Sequence, residues 1–234
     1  MQVIVVKDSH EGGKKAFEII EKMMKEDEVN CIGLATGSTP ITLYQEMVNS
    51  SLDFSDKVSV NLDEYCGLEE NHPQSYHYFM QEHLLNHKPF KKSYVPDGMK
   101  DPDEAIKEYD DILENCPIDI QILGIGENGH VGFNEPGTSF AAKTHLAELS
   151  ESTIEANSRF FNGNEEVPKT AITMGIKSIC DAKAIVLLAY GKSKAEAIAA
   201  TVEGPVTEEV PASSLQNHPN IFVIIDEDAA AKLK

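Results

Sequence analysis

The sequence predicts an α/β fold of the Rossmann-like class, a doubly wound, mostly parallel sheet with helices on both faces. Short apolar runs rich in β-branched residues alternate with helical patterns along the 234 residues. These runs are almost continuously apolar, which is typical of parallel strands covered on both faces. No linker rich in proline or serine divides the chain. At roughly 150 residues per domain, we expect one domain over 1–234.

The first half of the chain alternates strand and helix patterns. The predicted strands are residues 3–6, 29–35, 58–62 and 118–123. In the helix after the first strand, apolar residues recur at helical spacing and charged residues take the opposite face. The predicted helices are residues 10–26, 40–49, 75–85 and 101–113. We place Pro40 at the first helical position, where its missing N–H costs nothing.

The second half continues this pattern with one interruption. The predicted strands are residues 171–174, 184–190 and 221–225, and the predicted helix is 193–202. Residues 137–168 lack a clear apolar period and include Asn162-Gly163 and Glu165-Glu166. A long irregular segment in a compact domain is usually either a functional lid or a disordered excursion.

Composition excludes several function classes. The chain has 39 acidic and 20 basic residues, a net charge of -19, which disfavours binding to nucleic acid or to anionic membranes. No apolar stretch approaches the roughly 18 residues of a membrane span, and the N-terminal apolar run is too short for a signal peptide. The four cysteines are widely separated, which favours free thiols over a disulfide framework or a zinc site. We expect a cytoplasmic protein.

Two strand ends carry residues that could serve a ligand. The second strand runs into ATGSTP at residues 35–40, where small residues and hydroxyls precede a helix. Such a loop can cradle an anion, although it could equally be an ordinary capped turn, and it lacks the Gly-Lys-Ser/Thr of a nucleotide P-loop. The third strand ends in NLDEY at residues 61–65. Asp63 could act there as a general base or could cap a turn.

The third strand-end loop reads GIGENGHVGFNEP at residues 124–136. Its first six residues match the GxGxxG dinucleotide fingerprint, but that fingerprint must open into a helix, and Gly132 and Pro136 prevent one here. What remains is His130 in a glycine-rich backbone, with Glu135 five residues later. A histidine beside a carboxylate can shuttle protons near neutral pH, although histidines without a catalytic role are also common.

Basic residues give a further indication of an anionic ligand. The chain has 19 lysines and a single arginine, Arg159, inside the irregular segment. A planar guanidinium suits phosphate better than an ammonium does. Lys194 falls in the first turn of the helix predicted at 193–202, where the helix dipole disfavours a cation unless an anion binds there. Either residue could also be an ordinary solvated cation.

Five motifs together resemble the glucosamine-6-phosphate deaminase (glucosamine-6-phosphate isomerase) family over essentially the whole chain. They are ATGSTP at 35–40, NLDEY at 61–65, GIGENGHVGFNEP at 124–136, NSRF at 157–160 and GKSK at 191–194. Within the third motif, the GHVGFNEP stretch is the most diagnostic. The resemblance implies conversion of glucosamine 6-phosphate and water to fructose 6-phosphate and ammonium, without a metal or organic cofactor.

The resemblance also implies a role for each matching residue. Asp63 would move a proton between C2 and C1 of the open-chain sugar, and His130, paired with Glu135, would assist ring opening. The residues implied to hold the phosphate are Gly37, Ser38, Thr39, Arg159 and Lys194. Residues 150–168 resemble the mobile lid of the family.

The sequence departs from the family pattern at two places. Asn128, which we include in the predicted catalytic group, stands where larger members have an aspartate, so Glu135 is expected to be the only carboxylate near His130. In the allosteric hexamers, basic residues bind an activating amino-sugar phosphate. Those positions correspond here to His145 and Ala147, and the sequence ends at Lys234. We therefore expect a monomer or small homo-oligomer that lacks this activation.

Two other functions are weighed against this one. 6-Phosphogluconolactonase shares the fold and a Gly-His loop, but residues 133–136 and the Asp63 strand end favour the deaminase. A non-catalytic sugar-phosphate sensor is the alternative from a different class. Such sensors normally carry a DNA-binding segment, whereas this acidic sequence opens directly into a strand.

Overall fold

Seven parallel strands form the central sheet of the computed structural model, which describes residues 1–159, 161 and 166–234. The strands in the described chain are β1 (Gln2–Val6), β2 (Cys31–Leu34), β3 (Val58–Asn61), β4 (Asp63–Tyr65), β5 (Lys92–Tyr94), β6 (Ile120–Leu123), β7 (His145–Glu148), β8 (Thr170–Thr173), β9 (Ala184–Ala189) and β10 (Ile221–Asp226). The central sheet has the order β1-β10-β9-β6-β2-β3-β5, with parallel pairing throughout. The predicted fold class is confirmed.

Helices flank the sheet. In the described chain they are α1 (Ser9–Glu26), α2 (Ile41–Asn49), α3 (Tyr76–Met80), α4 (Pro102–Asn115), α5 (Glu151–Ser158), α6 (Ile176–Cys180) and α7 (Ala195–Val202). A π-helical turn, Gln81–Leu85, extends α3, and two 3-10 segments cover Lys192–Lys194 and Pro211–Asn217. Pro40 is the N-cap of α2 and not its first helical residue, because its carbonyl accepts the N–H of Tyr44, which is the first hydrogen bond of the helix that starts at Ile41.

A second, antiparallel sheet of order β4-β8-β7 lies beside the first. The chain changes sheets at Leu62, whose N–H donates to the carbonyl of Leu34 in the parallel sheet while its own carbonyl accepts the N–H of Met174, the residue directly after β8. Asp63 therefore starts a strand of its own, which corrects the prediction that it ends the third strand. The predicted strand at 171–174 likewise belongs to this small sheet.

The segment 137–168 is more regular than predicted. It contains β7 and α5, which the sequence did not reveal because neither element presents an apolar stripe. The one buried residue of β7 is Ala147, and the one buried residue of α5 is Thr153. Phe160 and residues 162–165, which include part of the predicted lid, lie outside the described residues.

The parallel arrangement determines where a ligand can bind. Strands β2, β6 and β9 are buried along their whole length, and their carboxyl ends meet at one edge of the sheet. Open α/β sheets bind ligands at this edge. Among the described helices, none is long and apolar enough to cross a membrane.

Candidate active site

A cavity of about 750 Å³ opens at the carboxyl ends of the central strands. Its walls come from the loops after β2 and β6, the start of β4, one side of α5 and the turn before α7. The predicted site residues that line it are Gly37, Ser38, Thr39, Asp63, Asn128, His130, Arg159 and Lys194. Glu135, the remaining predicted residue, lies against His130 outside the lining. The structure thus brings the predicted set together.

Asp63 is a buried carboxylate at the wall of this cavity, with 5% of its surface exposed. Pairing of β4 with Thr173 of β8 positions its backbone. Burial, and secondly the negative charge of Glu64, raises the pKa of Asp63 well above its ordinary value. Once ionised, such a carboxylate is a stronger base than an exposed aspartate, which suits proton removal from carbon.

Glu64 has a structural role beside it. Its carboxylate accepts the backbone N–H groups of Tyr65, Tyr76 and His77 at 2.9, 2.9 and 3.0 Å. These bonds attach the N-terminus of α3 to β4. Glu64 is therefore engaged in these structural hydrogen bonds, and Asp63 is the one of the two adjacent acids that lines the cavity.

His130 and Glu135 lie side by side, with Nδ1 of the imidazole 3.5 Å from Oε2 of the carboxylate, a contact that is an ion pair whenever the imidazole is protonated. Asn128 holds both partners, since its amide donates to Oε2 of Glu135 at 2.7 Å and its carbonyl accepts the backbone N–H of His130 at 3.1 Å. Gly126 makes room for the imidazole, because a Cβ at that position would lie 2.3 Å from Cε1 of the ring.

The other oxygen of Glu135 faces α5. Oε1 accepts the hydroxyl of Thr153 at 2.5 Å and the backbone N–H of Ser150 at 3.3 Å. Burial by itself would raise the pKa of Glu135, but hydrogen bonds from its side-chain partners, His130 first, outweigh it and lower the pKa to about 2. Glu135 is therefore ionised at neutral pH and can stabilise an imidazolium.

Positive charge dominates another part of the cavity, where Lys194 and Arg159 contribute to the lining. Burial lowers the pKa of Lys194, the negative charge of Glu127 opposes this, and the positive charge of Arg159 adds to the lowering. The loop before α2 lines the same cavity, and Gly37 there has a φ of 89 that favours glycine. Two interacting cations and a helix N-terminus suit a bound phosphate.

The turn that carries Lys194 is anchored from the end of β10. Both carboxylate oxygens of Asp226 accept the N–H of Gly191, at 3.0 and 2.9 Å, and one also accepts the N–H of Ala229 at 2.8 Å. Gly191 has a φ of 91, a conformation that favours glycine. The backbone leading to Lys194 is thus held in place by a carboxylate remote in sequence.

Several lining residues were not predicted, among them Tyr76, Glu127, Thr153 and Asn157. Glu127 and Asn157 lie inside motifs quoted above, so their position in those motifs could have drawn attention to them. Tyr76 and Thr153 carry no such signal, because their place in the site depends on how α3 and α5 pack.

Comparisons with known proteins identify the family of this chain. The family described as glucosamine-6-phosphate isomerases/6-phosphogluconolactonase matches residues 9–223. The chain belongs to this family. A glucosamine-6-phosphate deaminase from Lactobacillus johnsonii is 64% identical over 234 residues, which cover 100% of this chain and 98% of the relative. The resemblance inferred from the motifs is confirmed.

Two solved structures share the fold of this chain. A monomeric glucosamine-6-phosphate deaminase has a TM-score of 0.95 at 40% identity, covering 99% of this chain and 100% of the other. A 6-phosphogluconolactonase from Leishmania guyanensis has a TM-score of 0.82 at 21% identity, covering 100% and 98%. The second match shows the shared fold alone.

Proposed function

We propose that this protein is a glucosamine-6-phosphate deaminase, which converts glucosamine 6-phosphate and water to fructose 6-phosphate and ammonium. One observation carries the proposal. A single cavity is lined by Asp63, a buried carboxylate with a raised pKa, and by the imidazole of His130, which is paired with a carboxylate. Two cations, Arg159 and Lys194, line the same cavity. These are the groups that an aldose phosphate needs for ring opening, proton transfer and anchoring.

The phosphate anchors the substrate and takes no part in the chemistry. Arg159 and Lys194 pair with it, and the loop before α2 donates N–H and hydroxyl groups from Gly37, Ser38 and Thr39. Hydrogen bonds to charged groups contribute roughly 1.5–3 kcal/mol each. This binding energy orients the sugar between Asp63 and the imidazole.

Ring opening is assigned to His130. The C1 hydroxyl loses a proton and the ring oxygen gains one, so the hemiacetal becomes an aldehyde. Glu135 stabilises the imidazolium that forms between these two proton transfers, and Asn128 holds the side chains of His130 and Glu135 in position.

Isomerisation and deamination follow at C2. Asp63 removes the proton from C2 of the open-chain sugar and delivers it to C1, while the aldehyde oxygen gains a proton to become a hydroxyl and the C2 amine loses one. C2 is left as an imine. Water adds to this imine, the nitrogen leaves as ammonium, and fructose 6-phosphate remains. A single buried carboxylate can serve both proton transfers.

We also propose that the chain is one domain over 1–234 and that residues 150–168 act as a lid. The position of α5 supports the lid, since Ser152, Thr153 and Asn157 line the cavity from this helix. Displacement of α5 would uncover the site, and its return would exclude water during proton transfer.

The test is a coupled assay of ammonium and fructose 6-phosphate with wild type and Asp63→Asn. We expect the variant to lose at least about a hundredfold in kcat with substrate still bound, the magnitude of one positioned base. Asp56→Asn, on an exposed side chain, is the matched control and should keep full activity.

Other outcomes of this assay point elsewhere. Hydrolysis of 6-phosphogluconolactone with no ammonium from glucosamine 6-phosphate would indicate the lactonase. Tight binding of sugar phosphate without turnover, together with an Asp63→Asn variant of unchanged properties, would indicate a sensor.

We further propose a cytoplasmic location and a monomer or small homo-oligomer. The location is supported by the four cysteines, all of which are described and are free thiols. The assembly is supported by the likeness to the monomeric relative.

A further inference from the structure

The carboxylate of Glu135 joins two parts of the molecule with different proposed roles, the glycine-rich loop that carries His130 and the helix α5 of the lid. One oxygen faces the glycine-rich loop, where it contacts His130 and Asn128. The other faces α5, where it accepts from Thr153 and from the backbone of Ser150. Any movement of α5 therefore changes the hydrogen bonding of the group that pairs with the imidazole.

Thr153 makes the shorter of the two contacts from α5. The residue is 4% exposed, and its hydroxyl lies between Ser150 Oγ at 2.9 Å and Oε1 of Glu135 at 2.5 Å. An ionised carboxylate can only accept hydrogen bonds, so the hydroxyl proton of Thr153 points to Glu135. The hydroxyl of Ser150 can then donate to the hydroxyl oxygen of Thr153, which is still able to accept a hydrogen bond.

We propose that Thr153 is a positioning residue for the His130–Glu135 pair, and that this hydroxyl couples the docking of α5 to proton transfer at the sugar ring oxygen. The proposal rests on the proposed function. In the docked state the hydroxyl shares the negative charge of Glu135. The contact with α5 thereby sets how much of that charge faces the imidazole of His130.

The groups around Glu135 determine the direction of the effect. From the glycine-rich loop, the titratable side chain in contact is His130, and Asn128 is a neutral donor. From α5, the contacts are the neutral donors Thr153 and Ser150. Without the Thr153 hydroxyl, Glu135 keeps more negative charge for the imidazolium, which then holds its proton to higher pH.

The decisive variant is Thr153→Val, which replaces the hydroxyl by a methyl group of similar size. The cap of α5 survives this change, because Ser150 Oγ accepts the backbone N–H of residue 153 at 3.2 Å. We expect kcat to fall at least about tenfold, because this is the size of effect that the loss of one hydrogen bond to a charged group produces. KM should stay within about twofold, since the described hydrogen bonds of the Thr153 hydroxyl go to Ser150 and Glu135.

The pH profile separates positioning from a structural role. In Thr153→Val, the limb of the kcat/KM profile that reports the His130–Glu135 pair should move to higher pH. Thr153→Ser keeps the hydroxyl and should restore both rate and profile. Ser158→Ala removes a hydroxyl from the same helix that bonds only to the carbonyl of Glu155 among the described contacts, and it should behave as wild type.

Three results would overturn the proposal. The first is a Thr153→Val enzyme with the wild-type rate and pH profile. The second is an equal loss in Thr153→Val and Ser158→Ala, which would reflect a weakened helix. The third is a Thr153→Ser enzyme as slow as Thr153→Val. If instead the wild type released no ammonium from glucosamine 6-phosphate, the proposed function itself would fail.

Discussion

Asp63 and Glu135 are two carboxylates in one site whose surroundings shift their pKa values in opposite directions. Asp63 is buried beside the charge of Glu64, which raises its pKa. Glu135 is also partly buried, but side-chain donors lower its pKa to about 2. Acids separated in this way can divide the work of a reaction. Asp63 can accept and return a proton, whereas Glu135 stays ionised and supports the imidazole.

At the scale of a residue, Glu135 should stabilise the fold in a pH-dependent manner. Because its pKa is lowered from 4.5 to about 2, its contribution is complete above the unfolded value and is lost as the pH falls through the folded value. A shift of this size corresponds to at most about 3 kcal/mol. We expect the difference in free energy of unfolding between wild type and Glu135→Gln to shrink below about pH 4.5, measured by urea denaturation. A difference that stays constant down to about pH 3 would contradict this.

At the scale of elements, the functional groups lie where one element ends and the next begins. Leu62 is bonded to the end of β2 and to the residue directly after β8, and Asp63, the next residue, lines the cavity. Asp226 ends β10 and anchors the turn that carries Lys194. Neither junction contributes an apolar stripe, yet each one positions a group to which we assign a role in the proposed reaction.

Asp226→Asn should loosen the phosphate end of the site. The neutral amide accepts more weakly than a carboxylate, and its NH₂ cannot accept the N–H of Gly191. We expect KM for glucosamine 6-phosphate to rise severalfold with kcat little changed, from initial rates at varied substrate. Asp228→Asn, on an exposed side chain nearby, is the matched control. A fall in kcat at unchanged KM would mean that this turn serves the chemistry and not the anchoring.

At the scale of the whole molecule, a chain of net charge -19 is proposed to bind an anion. Salt confines the effect of distant charges to a Debye length of about 8 Å. The local field around Arg159 and Lys194 therefore matters more than the total charge.

The effector response is also a property of the whole molecule. The positions that resemble the activator site of the allosteric hexamers carry no lysine or arginine here: they are His145, whose Nδ1 contacts the carbonyl of Lys143 at 2.8 Å, and Ala147, which is buried. We expect a hyperbolic saturation curve that N-acetylglucosamine 6-phosphate leaves unchanged. Light scattering should give the mass of one 25.7 kDa chain or a small multiple of it. A marked left shift of the curve, or a hexamer, would contradict the prediction.

The parallel sheet and most of the site could be predicted from the sequence, because the signals are local. A buried strand such as β9 is apolar along its length. The residues of the glycine-rich loop lie within thirteen positions of one another, so the pairing of His130 with Glu135 could be predicted from the sequence.

The small antiparallel sheet and the wall formed by α5 could not be predicted, because both depend on contacts between residues far apart in the chain. β4 exists only where it meets β8, more than a hundred residues later. Thr153 looks like any polar residue of a short helix until folding places its hydroxyl against Glu135. Local patterns specify which groups are present, whereas packing sets the distances between them, and hydrogen bonds and pKa shifts depend on those distances.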